Sequence, residues 1–216
     1  MLQNRVDPFG NIIKTPARGT WMGNRGLLHD EHQTIRRSFK LKAWITCVLQ
    51  FKGRQRKVMS PNRYTELFFL DEATSFAAGH RPCFECRRED AIRFKSFWIA
   101  GNPEHGFPVD TLIGEIDTLV HAERIDRKGN KVTYEERLGD LPDGAFIEWE
   151  GRAYLVADGH IFGWTPFGYE KGQRLPGAQR VKVLTPRSIV NAFRAGYRTQ
   201  INDRSTEDPA AGTLSS

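Results

Sequence analysis

The sequence predicts an α+β protein in two parts, a small unit with a short antiparallel sheet and a candidate metal-binding turn, then a small β-rich unit with flanking helices. Three observations carry that expectation. β-Branched and aromatic residues gather in short runs, Ala43 to Phe51 (AWITCVLQF) and Thr65 to Leu70 (TELFFL). Apolar residues recur at helical spacing from Arg87 to Ile99 and from Thr111 to Arg124. Three strand-length runs between Phe146 and Trp164 are separated by Glu150-Gly151 and Asp158-Gly159, the turn chemistry of an antiparallel meander.

Taken in order, the chain up to His32 is rich in Gly, Pro and Asn and reads as turns with short extended pieces that wrap onto the core. The two runs at 43–51 and 65–70 follow, with Lys52-Gly53-Arg54 as a turn signal between them, so Arg54, Arg56 and Lys57 sit on an expected hairpin. Asp71 is placed to cap a short helix from Glu72 to Ala78, which Gly79 stops. Glu89 and Asp90 suit the first turn of the helix that begins near Arg87, where acids complement the helix dipole. Gly101-Asn102-Pro103 and Gly106-Phe107-Pro108 punctuate the chain and give its best internal boundary. After the helix at 111–124 and the meander, Val181 to Leu184 adds a strand, and Thr185-Pro186 starts a last helix that Gly196 ends. The expected units are 1–105 and 106–201, with 202–216 as a polar, disordered tail.

With 216 residues, 39% of them hydrophobic and 27% charged, the composition is that of a folded protein rather than a disordered one. No apolar run approaches the ~20 residues of a membrane span and the amino end lacks the apolar stretch of a secretory signal. The expectation is therefore a soluble, cytoplasmic protein with no membrane partner. Three cysteines, two of them as Cys83-Phe84-Glu85-Cys86, do not suggest a disulfide framework.

The net charge of +6 is unevenly placed. Between Gln33 and Thr65 lie Arg36, Arg37, Lys40, Lys42, Lys52, Arg54, Arg56, Lys57 and Arg63, with no Asp or Glu among them. Such a stretch is either a solvated basic face or a phosphate-binding surface for DNA or RNA, and charge alone does not separate the two.

A CxxC turn can aim two thiolates at one tetrahedral centre, which suits Zn²⁺ but supplies half a site; a redox pair or two inert thiols are the alternatives. Its surroundings narrow the choice. The run Leu67-Phe68-Phe69-Leu70-Asp71-Glu72-Ala73-Thr74-Ser75-Phe76-Ala77-Ala78-Gly79-His80-Arg81-Pro82-Cys83-Phe84-Glu85-Cys86 resembles the second half of the metal-binding module of Ada-type DNA repair proteins. In that family a strand with paired aromatics leads to a short Glu/Ala helix, then Ala-Gly, an aromatic residue, Arg-Pro-Cys, two residues and Cys. The resemblance implies a zinc-binding, DNA-contacting module. In the reading built on it, Cys83 and Cys86 are metal ligands, and Arg81, Arg87 and Arg88, together with Arg36, Arg37, Lys52, Arg54, Arg56 and Lys57 of the acid-free stretch, approach phosphates. The family's first cysteine pair, which includes its methyl acceptor, has no counterpart in 50–64. Cys47 is the remaining cysteine and the third metal candidate, although a thiol in an expected strand usually reads as buried and inert. His80 takes the family's aromatic position, and His29 and His32 are weaker ligand candidates than Cys47.

Nucleic-acid deaminases place H-x-E before P-C-x-x-C, with His and two Cys on zinc and Glu moving protons. His29-Asp30-Glu31 and Pro82-Cys83-Phe84-Glu85-Cys86 occur in that order, so a zinc-dependent hydrolase acting on bases is an alternative to a binding module, and a structural zinc module for protein contacts is a third. His121-Ala122-Glu123 also spells H-x-E but follows the cysteines on an expected helix. There is no phosphate loop of the Walker type, no G-x-S-x-G and no H-E-x-x-H.

Overall fold

The Gly/Pro/Asn-rich opening of the chain, expected to be mostly turns, supplies half of a six-stranded sheet. In a computed structural model, which describes residues 1–54 and 57–203, β1 (Gln3–Val6), β2 (Ile12–Lys14) and β3 (Trp21–Asn24) join β4 (Ile45–Cys47), β5 (Leu67–Phe69) and β6 (Arg81–Pro82). Gly10, at φ +89°, closes the β1–β2 hairpin by donating its N–H to the Asp7 carbonyl at 2.9 Å. The order is β2-β1-β5-β3-β4-β6, with β1–β5 and β4–β6 parallel and the other pairs antiparallel. The sheet is therefore mixed rather than purely antiparallel.

β4 and β5 are not the hairpin partners that the Lys52-Gly53-Arg54 turn suggested, because β3 lies between them and pairs antiparallel with both. The connection from 48 to 66 is far longer than a hairpin requires and leaves room for the intervening strand. Gly23 makes this possible. A Cβ there would sit 2.2 Å from the Ile45 carbonyl oxygen, so the close approach of β3 and β4 admits no side chain.

The second sheet follows the expected meander closely. β8 (Phe146–Trp149), β9 (Arg152–Ala157) and β10 (His160–Thr165) pair antiparallel through the two predicted turns, where Gly151 and Gly159 have positive φ. β7 (Tyr134–Arg137), β11 (Gly168–Tyr169) and β12 (Arg180–Val183) complete it in the order β11-β10-β9-β8-β12-β7. β7 went unpredicted because YEER carries no apolar alternation; Glu135 and Arg180 instead form an exposed cross-strand ion pair.

Among the described residues four α-helices bind the sheets together: α1 (Glu72–Ala77), α2 (Arg88–Gly101), α3 (Ile113–Arg124) and α4 (Arg187–Arg194). All six residues of α1 are buried. Ala73 and Ala77 pack with Phe146 and Leu155 of the second sheet, while Phe76 joins Phe94, Trp98, Ile189 and Phe193. The cores thus run across the boundary near residue 105. At Gly101 a Cβ would meet the Asn191 carbonyl oxygen at 2.4 Å, which shows how closely α2 and α4 approach. Asn202, expected to begin a frayed tail, is tied down: its N–H donates to Asp71 Oδ2 at 3.1 Å and its amide to the Leu70 carbonyl at 2.9 Å. Residues 204–216 lie outside the described residues. Among the described residues no helix is long and apolar enough to cross a membrane.

Candidate metal centre

Parallel pairing of β4 with β6 builds the centre. Arg81 N–H donates to the Trp44 carbonyl at 3.1 Å and Cys83 N–H to the Thr46 carbonyl at 3.0 Å, so the chain enters the CxxC turn while still hydrogen-bonded beside Cys47. The turn then feeds α2: Arg87 N–H donates to the Cys83 carbonyl at 2.9 Å. The result brings the Sγ atoms of Cys47, Cys83 and Cys86 within 4.8 Å of one another. Cys47 and Cys83 are buried and Cys86 is half-buried. Cys47 is thus no isolated inert thiol, and a metal can be held by all three cysteines.

The sulfurs interact strongly. Hydrogen bonding from the Cys47 thiol, opposed by burial and aided by the backbone N–H groups of Cys86 and Glu85, holds Cys83 at about 5. Glu85 N–H lies 3.4 Å from Cys83 Sγ. Cys47 is pushed well up, first by its hydrogen bond to Cys83 and then by burial, and Cys86 is raised chiefly by burial. One thiolate with two neighbouring thiols is a set that a divalent cation completes by displacing the remaining protons. The donor set suits Zn²⁺ by its chemistry, since thiolates bind that ion well, and a tetrahedron with ligands at about 2.3 Å would draw the sulfurs to roughly 3.8 Å apart. Among the described residues no His, Asp or Glu belongs to this cluster. The three cysteines, with Met22, Phe51, Tyr64 and Glu66, line a cavity of about 330 Å³.

The histidines of the sequence motifs are engaged elsewhere. His29 is buried, its Nδ1 accepting from the Thr65 hydroxyl at 2.6 Å and its Nε2 facing the Ser60 carbonyl at 3.2 Å, while Glu31 is exposed beside His32. The deaminase arrangement, His29 and Glu31 with Cys83 and Cys86, is therefore not assembled. Glu123 accepts from the Ser188 N–H and hydroxyl at the start of α4. His80 is packed against Phe69 and Trp44, with ring centroids 4.6 and 5.2 Å away, so the aromatic role fits and ligation does not.

Of the candidate phosphate-contacting residues, Arg36, Arg37, Lys52, Arg54, Lys57 and Arg88 are exposed, Arg36 pairing with Asp30 and Arg54 with Glu85. Arg56 lies outside the described residues. Arg81 and Arg87 are corrected to internal roles. Arg81 donates from Nε and Nη2 to the two oxygens of Asp117 at 2.8 and 2.7 Å, with both side chains buried. Arg87 is held by Glu72 and Asp90 and lies 4.0 Å from the Trp21 ring centroid. Flanking the CxxC turn, both guanidiniums fix it to α1 and α3 rather than face solvent. Comparison with protein-family models, curated proteins and solved structures finds no match to the chain.

Proposed function

We propose that this is a zinc protein that binds nucleic acid, with Cys47, Cys83 and Cys86 as the metal ligands and the exposed cations of the 33–65 stretch as the phosphate-contacting surface. The observation that carries it is the convergence of three sulfurs within 4.8 Å from two separate segments. The likeness to the Ada-type module supports the same reading from the sequence side, through the strand, short helix, Gly-x-Arg-Pro and CxxC in register. Arg36, Arg37, Lys52, Arg54, Arg56, Lys57 and Arg88 supply the electrostatic attraction, and Arg81 and Arg87 leave the set because their charges are spent internally.

The cavity against the sulfurs favours a second reading, a centre whose fourth position is taken by water or a substrate, as in hydrolytic zinc sites. Zinc there would polarise a bound water or oxygen ligand, and Cys47, the cysteine outside the CxxC, is the candidate alkyl acceptor once metal has displaced its proton.

Two measurements test the proposal. Metal analysis of the purified protein should find about one zinc per chain. Gel-shift titration should show log affinity falling by about 0.9 per neutralised phosphate on duplex DNA, and replacing Arg54, Arg56 and Lys57 together should flatten the slope by up to about 3 units. Salt-insensitive binding, no binding, or a triple variant matching wild type would return the stretch to a solvated face. Labelled methyl groups transferred from DNA to Cys47, or base hydrolysis abolished by Cys83→Ser, would replace binding with the second reading.

A further inference from the structure

Away from the cysteines, a cavity of about 640 Å³ is lined by Arg25, Arg37, Arg124 and Lys131, among others, and, among the described residues, by no Asp or Glu. Two of these cations are deeply buried, Arg25 at 1% and Arg124 at 2% exposure. Their guanidinium carbons lie 3.8 and 4.0 Å from the centroid of Trp44. Neither is fully hydrogen-bonded. Arg25 donates to the Gly10 carbonyl at 2.9 Å and to His80 Nε2 at 3.2 Å, leaving buried Nη2 without a partner; Arg124 donates to the Gly79 carbonyl at 2.7 Å, to the Lys42 carbonyl and to His121 Nδ1 at 2.8 Å, leaving buried Nε without one.

Cations withdrawn from water require a counter-charge, and the nearby carboxylates are already committed. Asp7, whose field reaches Arg25 and Lys131, accepts from Asn11 with both oxygens. Asp117, whose field reaches Arg124, holds Arg81. Burial first, then mutual repulsion, lowers Arg124 to about 8 and Lys131 to about 7, while burial lowers Arg25 to about 9. Such a group of cations is the environment that a dianion relieves.

We propose that this cavity binds a phosphate monoester, its phosphate set against Arg25, Arg124 and Lys131 and its organic body against the apolar wall of Phe9, Ile12 and Ile35. Four cations line the one cavity, Arg37 at its exposed side with Arg25, Arg124 and Lys131, and they match the double charge of a phosphate better than the single charge of a carboxylate; guanidiniums bind phosphate through paired N–H donors. The inference is independent of the metal centre.

The test uses the full-length, zinc-loaded chain at matched ionic strength, with thermal melts and calorimetric titration against phenyl phosphate, inorganic phosphate and benzoate. Phenyl phosphate should raise Tm and bind at least about tenfold more tightly than either of the others, because it alone offers both the dianion and the apolar body. Lys131→Met should weaken phenyl phosphate binding by about tenfold or more, and Asp7→Asn, which removes the competing carboxylate, should tighten it. No response to phenyl phosphate at about 10 mM, roughly ten times a millimolar Kd, or benzoate or inorganic phosphate binding as tightly, would overturn the proposal. Should Lys131→Met fail to fold, Asp7→Asn decides: unchanged affinity there overturns it as well.

Discussion

Each of the three sulfurs has a different environment, and the consequence for metal binding is testable one residue at a time. Cys47→Ser should lose zinc as completely as Cys83→Ser or Cys86→Ser, because two thiolates hold a metal far more weakly than three. Dialysed protein assayed for zinc and for melting temperature checks this, and a Cys47→Ser protein that keeps its metal would remove Cys47 from the centre. The Arg81–Asp117 pair is a second single-residue test. Both partners are buried, so Asp117→Ala strands a guanidinium and should cost about 3–5 kcal/mol in urea unfolding. A cost typical of exposed pairs, about 1 kcal/mol or less, would show that the pair is solvated. His80 and His121 give the pH dependence. Burial first, then neighbouring cations, lowers His80 well below 6.5 and His121 to about 4. The unfolded chain therefore takes up these protons first, so the stability they carry is complete above 6.5 and falls as the pH drops through that value toward about 4. Unfolding midpoints at pH 7.5 and pH 5 should differ in that direction.

At the scale of elements, α1 and its cap do more than start a helix. Asp71 accepts from Thr74 N–H at 2.8 Å and its hydroxyl at 2.7 Å, from the Tyr169 hydroxyl at 2.7 Å and from Asn202 N–H at 3.1 Å. One carboxylate thus joins the short helix to the second sheet and to the last described residues. Asp71→Ala should cost more than the ~1 kcal/mol of an ordinary cap, because it also leaves a buried tyrosine hydroxyl without its acceptor. Tyr169→Phe removes only that bond, and a smaller loss there than in Asp71→Ala, read from denaturant midpoints, separates the two contributions. At the other end of α1, Gly79 at φ +87° lies against Arg124, where a Cβ would come within 2.4 Å of the side chain. The stop signal seen in the sequence is therefore also the seat of a cation in the larger cavity.

For the whole molecule, the shared core makes a prediction about the halves. Phe76, Phe94 and Trp98 from the first part pack with Ile189, Phe193 and Tyr197 from the last. A fragment of residues 1–105 loses that apolar cover and should lack fixed tertiary structure, with weak near-ultraviolet dichroism, even when zinc is supplied. A fragment that folds with native-like spectra would show the first part to be self-sufficient.

Elements whose signals are local were legible in the amino-acid order. The meander at 146–164 was readable from turn glycines and apolar runs, α1 from Asp71 and Gly79, α2 and α3 from apolar spacing, and the CxxC from its own residues; these depend on neighbours within a few positions. The tertiary structure alone decided what depends on pairing between distant segments. It placed β3 between β4 and β5, recruited Cys47 across the parallel β4–β6 ladder, turned Arg81 and Arg87 inward to Asp117 and Glu72, and gathered Arg25, Arg124 and Lys131 around one cavity. A cation's sequence neighbours do not reveal whether a carboxylate 36 residues away will meet it, as Asp117 meets Arg81. Burial and charge pairing are properties of the packed chain, and they separate the surface cations from the internal ones.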